Sequence, residues 1–134
     1  MNKAGQYAAS SQYDEIQLMH IVFELTEKER MSMWAEGYID FVIEKMPSYA
    51  KDILINRKQK WEDAKEYVQE QLQEIINDEE FTKKAKADRK EFALYVTKHH
   101  PRYKSLLFRV YDGNLNDADV KKYVYRNRYH TRRK

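Results

Sequence analysis

Residues 49–76 read YAKDILINRKQKWEDAKEYVQEQLQEII, a stretch without proline or glycine. Leu54, Trp61, Val68 and Ile75 recur in it at seven-residue steps, with Ile53, Ala64 and Leu72 on the adjacent face, which is the period of a long helix with one apolar stripe. Such a stripe needs a partner to cover it, so this helix is expected to be the spine of a helical domain. The composition of the 134-residue chain agrees. Three glycines and two prolines are too few for many strands and hairpins, while Glu, Lys, Gln, Ala, Leu and Met recur throughout. The reading is all-α: a single compact helical domain of about six to seven helices around one long central helix.

Working outward toward the N-terminus, Pro47 closes a short helix expected over Tyr38–Met46 and supplies the fixed φ suited to the first turn of the next. Before it, Thr26 and Glu29 form a Thr-x-x-Glu capping box that starts a helix at Glu27 and carries Met31, Met33 and Trp34 to a stop at Gly37. Ile16, Met19, Ile21, Val22, Phe23 and Leu25 favour a helix over Tyr13–Leu25, although Ile21–Phe23 would also suit a short buried strand. Residues 1–12 lack periodicity and read as a flexible lead-in or a cut end. The helical domain is expected over 13–130, and 131–134 as a basic tail.

Toward the C-terminus, Asn77–Glu80 is an acidic N-cap region. The helix after it places Phe81, Ala85, Phe92, Val96 and His99 on one stripe and Lys83, Lys86, Arg89 and Lys90 on the opposite, basic one. Pro101 opens a helix with Tyr103, Leu106, Leu107, Val110 and Tyr111, which Asp112-Gly113-Asn114 closes. Asn116 caps a last helix whose first turn holds Asp117 and Asp119.

No window reaches the roughly 18 apolar residues of a membrane span, and no apolar leader opens the chain. The expectation is a soluble cytoplasmic protein of a bacterium or a phage-infected host, without membrane contact. The absence of cysteine removes disulfides, thiolate metal sites and thiol nucleophiles. An enzyme active in isolation would have only His20, His99, His100 and His130 to build on. His99 and His100 are adjacent, and neighbouring helix residues point about 100° apart, so they cannot share a metal from a regular helix. They read as a helix-end pair interacting with the dipole. Gly113 stands alone, so no phosphate-cradling loop is present.

Charge is the functional signal. Residues 96–134 hold 11 Lys/Arg against 3 acids, leaving 14 against 19 in residues 1–95. A basic end is the footprint of polyanion contact, and it also suits a solvated tail. Lys121, Lys122, Arg126, Arg128, Arg132 and Arg133 interleave with Tyr123, Tyr125 and Tyr129, offering phosphate partners beside rings on which bases stack. Tyr123 shares a face with Val120 and Val124 and belongs to the core, which leaves Tyr125 and Tyr129 for stacking. Lys83, Lys86 and Lys90 form a secondary basic stripe that could extend a phosphate track or simply face solvent.

A family resemblance enters through Phe92-Ala93-Leu94, Pro101, Ser105-Leu106-Leu107-Phe108, Asp112-Gly113 and the basic, aromatic end. A second carrier is Leu18-Met19-His20-Ile21-Val22 with Leu25-Thr26 and Trp34. Over about residues 15–126 the chain resembles the C-terminal helical domain of the phage-type ATP-dependent RNA ligases, the T-even phage RNA ligase 1-like family. The family's Lys-x-Asp-Gly centre is absent, with Val110 at the lysine position before Asp112-Gly113, and Asn114 replaces the lysine of the usual Asp-Gly-Lys turn. The Lys-x-Lys motif is also missing, with Ala9-Ser10-Ser11 near its place. The resemblance implies an accessory domain that cannot adenylylate itself and has no metal or cofactor of its own, ATP and Mg2+ belonging only to a complete ligase. Its implied partners are RNA (a single-stranded end, a nick or tRNA) and a nucleotidyltransferase domain or subunit. A non-enzymatic helical nucleic-acid- or protein-binding module, such as a small regulator, is the alternative.

Overall fold

The computed structural model describes residues 14–132, with side chains through Asn127. The lead-in at 1–12 and the end of the tail at 133–134 lie outside the described residues. The chain is all-α. The described residues form α1 (Glu15–Glu24), α2 (Glu27–Ala35), α3 (Ile39–Glu44), α4 (Ser48–Ile76), α5 (Glu79–Ala85), α6 (Arg89–His99), a 3-10 turn (Pro101–Tyr103), α7 (Lys104–Asp112) and α8 (Asp117–Arg132). They sort into two compact units, one holding residues up to Ala64 and those from Val124 on, the other Lys65–Tyr123.

The first unit begins with a capping box. Asp14 Oδ1 accepts from Gln17 N at 2.8 Å, and Asp14 N donates to Gln17 Oε1 at 3.1 Å. The Thr26–Glu29 box forms as expected, with Glu29 N donating to Thr26 Oγ1 at 3.1 Å and Thr26 N to Glu29 Oε1 at 2.9 Å. Gly37, at φ +87°, ends α2 in a Schellman turn in which Tyr38 N donates to Met33 O and Gly37 N to Trp34 O. Leu18, Val22, Met31, Met33, Trp34, Val42, Leu54 and Trp61 make the core. Trp34 and Trp61 meet at 6.1 Å between ring centres, and each buried indole N–H finds a carboxylate: Glu62 at 2.7 Å for Trp34, Glu27 at 2.9 Å for Trp61. Arg30 is buried and donates to Val22 O at 3.2 Å and Leu25 O at 2.6 Å, closing carbonyls at the end of α1. The inward stripe of α4 here is Ala50, Leu54 and Trp61. Ile53 is 41% exposed, because one residue of helix turns it about 100° away from Leu54.

The second unit is built on rings. Phe92 packs edge-on to Phe81 at 5.7 Å and to Phe108 at 5.5 Å, with Tyr111 at 4.5 Å. Val68, Leu72, Val96, Leu106, Leu107 and Val120 fill the space around them, and Ile75 is only half-buried. One expected helix is two. The stripe from Phe81 to His99 breaks after Ala85, because Asp88 caps a new helix by accepting from Glu91 N at 2.9 Å. Tyr111 Oη then donates to Ala87 O at 2.7 Å, occupying a carbonyl that the break leaves open. This division raises the number of α-helices to eight among the described residues. His99, expected on the buried stripe, is exposed, and Tyr95 takes the inward place. Gly113, at φ +75°, closes α7 with Asn114 N donating to Arg109 O and Gly113 N to Val110 O. Asn116 and Asp119 cap α8 reciprocally at 3.0 and 3.1 Å.

Candidate nucleic-acid interface

Residues 81–123 carry 11 Lys/Arg against five acids, and the structure gives each of those acids a partner. Asp88 caps α6. Glu91 accepts from Lys84 Nζ at 2.9 Å, which raises the Lys84 pKa. Asp112 holds Arg89 at 2.6 Å, Asp119 lies 3.4 Å from Arg109, and Asp117 binds Lys65 Nζ at 2.5 Å with Lys121 Nζ at 3.6 Å. The Lys65 hydrogen bond holds the Asp117 carboxyl below its ordinary range. Lys83, Lys86, Lys90, Lys98, Lys104 and Lys122 are exposed and make no ion pair among the described residues. Their charge faces solvent.

The residues expected to bind RNA divide accordingly. Lys121 is mostly spent on Asp117, with its side chain only 20% exposed. Lys122 and Arg126 are exposed, one turn apart on α8. Tyr125 is half-buried, and its ring already has the Lys28 ammonium 5.9 Å from its centre. Tyr123 joins the ring cluster, as its neighbours Val120 and Val124 imply: it lies 5.5 Å from Tyr103 and donates to Arg102 O at 3.0 Å. Burial pushes its phenol up to about 12. Arg128, Tyr129 and Arg132 lie on the helical backbone of α8, but their side chains, like all of Arg133, fall outside the described residues. Of the secondary stripe, Lys83 sits in the last turn of α5, Lys86 at its C-cap and Lys90 in the first turn of α6. Arg89, expected beside them as an open charge, is tied to Asp112, and its guanidinium covers Phe108 at 4.9 Å.

Both histidines at the end of α6 pack against the Tyr95 ring. His100 leaves the helix at φ −140° and its Nε2 lies 3.3 Å from Tyr95 Oη, while the Tyr95 ring stands 5.1 Å from His99. Desolvation, then the neighbouring His99, lowers the His100 pKa, against the upward pull expected of a helix C-terminus. No group of three or more His, Cys, Asp or Glu is placed to hold a metal ion among the described residues. No helix of the described residues is long and apolar enough to cross a membrane.

No protein-family model, no curated protein and no solved structure matches the chain. The ligase resemblance therefore rests on its motifs alone.

Proposed function

We propose that the chain binds RNA as the accessory domain of an RNA end-joining ligase, in the cytoplasm of a bacterium or a phage-infected host. It holds the RNA end while a separate nucleotidyltransferase domain or subunit performs the ATP- and Mg2+-dependent chemistry. The observation that supports this reading is the partnering of charge in residues 81–123: every acid is occupied, and six lysines are left over. An excess of this kind displaces counterions from a polyphosphate without first breaking internal ion pairs.

The test is fluorescence anisotropy with single-stranded RNA, nicked RNA duplex, tRNA and matched DNA across salt concentrations. Neutralising about four phosphates gives a log–log salt slope near −3 on a single strand. Lys83→Glu, Lys86→Glu and Lys90→Glu together should flatten that slope and weaken binding by at least about tenfold. No binding at low salt, or equal binding of RNA and DNA, removes the ligase-accessory reading. A second reading, a protein-binding module, draws on the first unit, where Ile16 (52% exposed), Tyr49 (59%) and Ile53 (41%) face solvent. Tyr49 Oη reaches Met19 Sδ at 2.8 Å, which ties the start of α4 to α1.

A further inference from the structure

The unit of residues 65–123 contains a cavity of about 440 Å³, between Gln69, Leu72, Gln73 and Ile76 on α4 and the entry into α8 at Leu115–Val120. That volume falls in the roughly 300–1,000 Å³ range of small-ligand sites. Its floor is aliphatic, with Leu72 and Val120 buried and Ile76 and Leu115 half-buried. Its rim is made of carboxamides. The Gln69 amide makes no hydrogen bond among the described residues. Gln73 donates through Nε2 to Asn77 at 3.1 Å and keeps its Oε1 acceptor. Asn116 spends Oδ1 on Asp119 N and keeps its Nδ2 donors. An occupant thus meets neutral donors and acceptors at its edge and hydrocarbon against its face.

Charge narrows the choice. Asp117, the one acid among the lining residues, is matched by Lys65 and Lys121, and nearby Asp119 by Arg109 and the Asn116 N–H, while exposed Glu66 and Glu70 stand one turn before Gln69 and Gln73 on α4. The start of α8 is already capped by Asn116 and Asp119, which leaves little room for a free anion there. A flat, neutral, heteroaromatic group with hydrogen-bonding edges fits both requirements.

We propose that this cavity receives a base of single-stranded RNA, adenine by preference. The proposal rests on the RNA-binding reading above. Asn and Gln carboxamides pair with the adenine N6/N7 edge, unstacked RNA bases are read on their edges in this way, and extruded bases are held against apolar side chains.

The experiment compares anisotropy titrations of the full chain with oligo(A), oligo(U) and an abasic ribose-phosphate strand of equal length. The same strands are titrated against Leu115→Trp, which fills the cavity, and against Gln69→Ala with Gln73→Ala, which strips its rim at exposed positions. Circular dichroism verifies that each variant keeps its helices. The expected result is oligo(A) binding about tenfold tighter than the abasic strand, with both variants erasing that preference and leaving abasic binding unchanged. Equal binding of oligo(A) and the abasic strand, or a preference that survives in the variants, overturns the cavity assignment and leaves RNA binding standing. Failure of every strand to bind at low salt overturns the RNA-binding reading and the cavity assignment with it.

Discussion

The two units spend their acids differently. In the first, residues 14–64 hold 11 acids against 7 Lys/Arg, and two of those acids turn to the core, where Glu27 and Glu62 accept from the indoles of Trp61 and Trp34. In the second, the core of Phe81, Phe92, Phe108 and Tyr111 needs no carboxylate; the acids of residues 81–123 serve as helix caps and ion-pair partners, while Glu66, Glu70 and Glu74 on α4 are exposed and make no ion pair among the described residues. The difference teaches that the charge a partner meets is set by which acids are already occupied, more than by the count of each sign. Each indole donor here takes a carboxylate, whereas the Tyr111 hydroxyl is satisfied by a backbone carbonyl and the phenylalanines bring no donor.

The strongest way to break the comparison is to remove one ring from each core. Trp61→Ala and Phe92→Ala should each cost about 3–5 kcal/mol in denaturant unfolding, since both rings are fully buried. The two losses have different compositions. Trp61→Ala also removes the indole N–H from Glu27 Oε2, while Glu27 Oε1 keeps Arg30 at 3.6 Å, whereas Phe92→Ala leaves only a cavity. A loss under about 1 kcal/mol for either would mean that its ring is not held in a packed core.

Much of this division was legible in sequence where the signal is local. Thr26-x-x-Glu29, Gly37, Pro47, Asp112-Gly113 and Asn116 each mark a helix end through a hydrogen bond or a φ value within a few residues, and each marks a real one. Asp14-x-x-Gln17 and Asp88-x-x-Glu91 carry the same kind of signal and were readable. The second was masked by an apolar stripe whose period runs on through the break. Lys121 sits four residues after Asp117, so its partial loss to an ion pair was also readable. Arg30 reaching the carbonyls of α1, and Lys28 over Tyr125, depend on elements brought together only by folding, and no local spacing announces them. The basic C-terminal third was visible as charge, but which of its lysines stay open was not.

The helix caps offer a finer comparison between the units. Thr26→Ala in the first and Asp88→Ala in the second should each cost about 1 kcal/mol. The second loses more if its break is held by the cap, because Ala87 and Asp88 would then join α5 and α6 and pull Tyr111 from Ala87 O. Equal losses would show that ring packing alone keeps the two helices apart.

The smallest effect expected is a pH dependence confined to the second unit. His100 titrates below its ordinary 6.5, first because burial against Tyr95 removes solvent and then because His99 is beside it, with Asp78 pulling weakly the other way. A lowered histidine pKa means that the unfolded chain takes up the proton first as pH falls. Stability is therefore whole above about 6.5 and declines as pH drops from there through the folded-state value. The ring is partly solvated, which damps the decline. His100→Gln keeps a hydrogen-bonding side chain beside Tyr95 without a titrating group, and it should flatten the fall in unfolding midpoint between about pH 7 and about pH 5. An unchanged slope in that variant would place the pH dependence elsewhere and would leave the Tyr95–His100 contact as packing only.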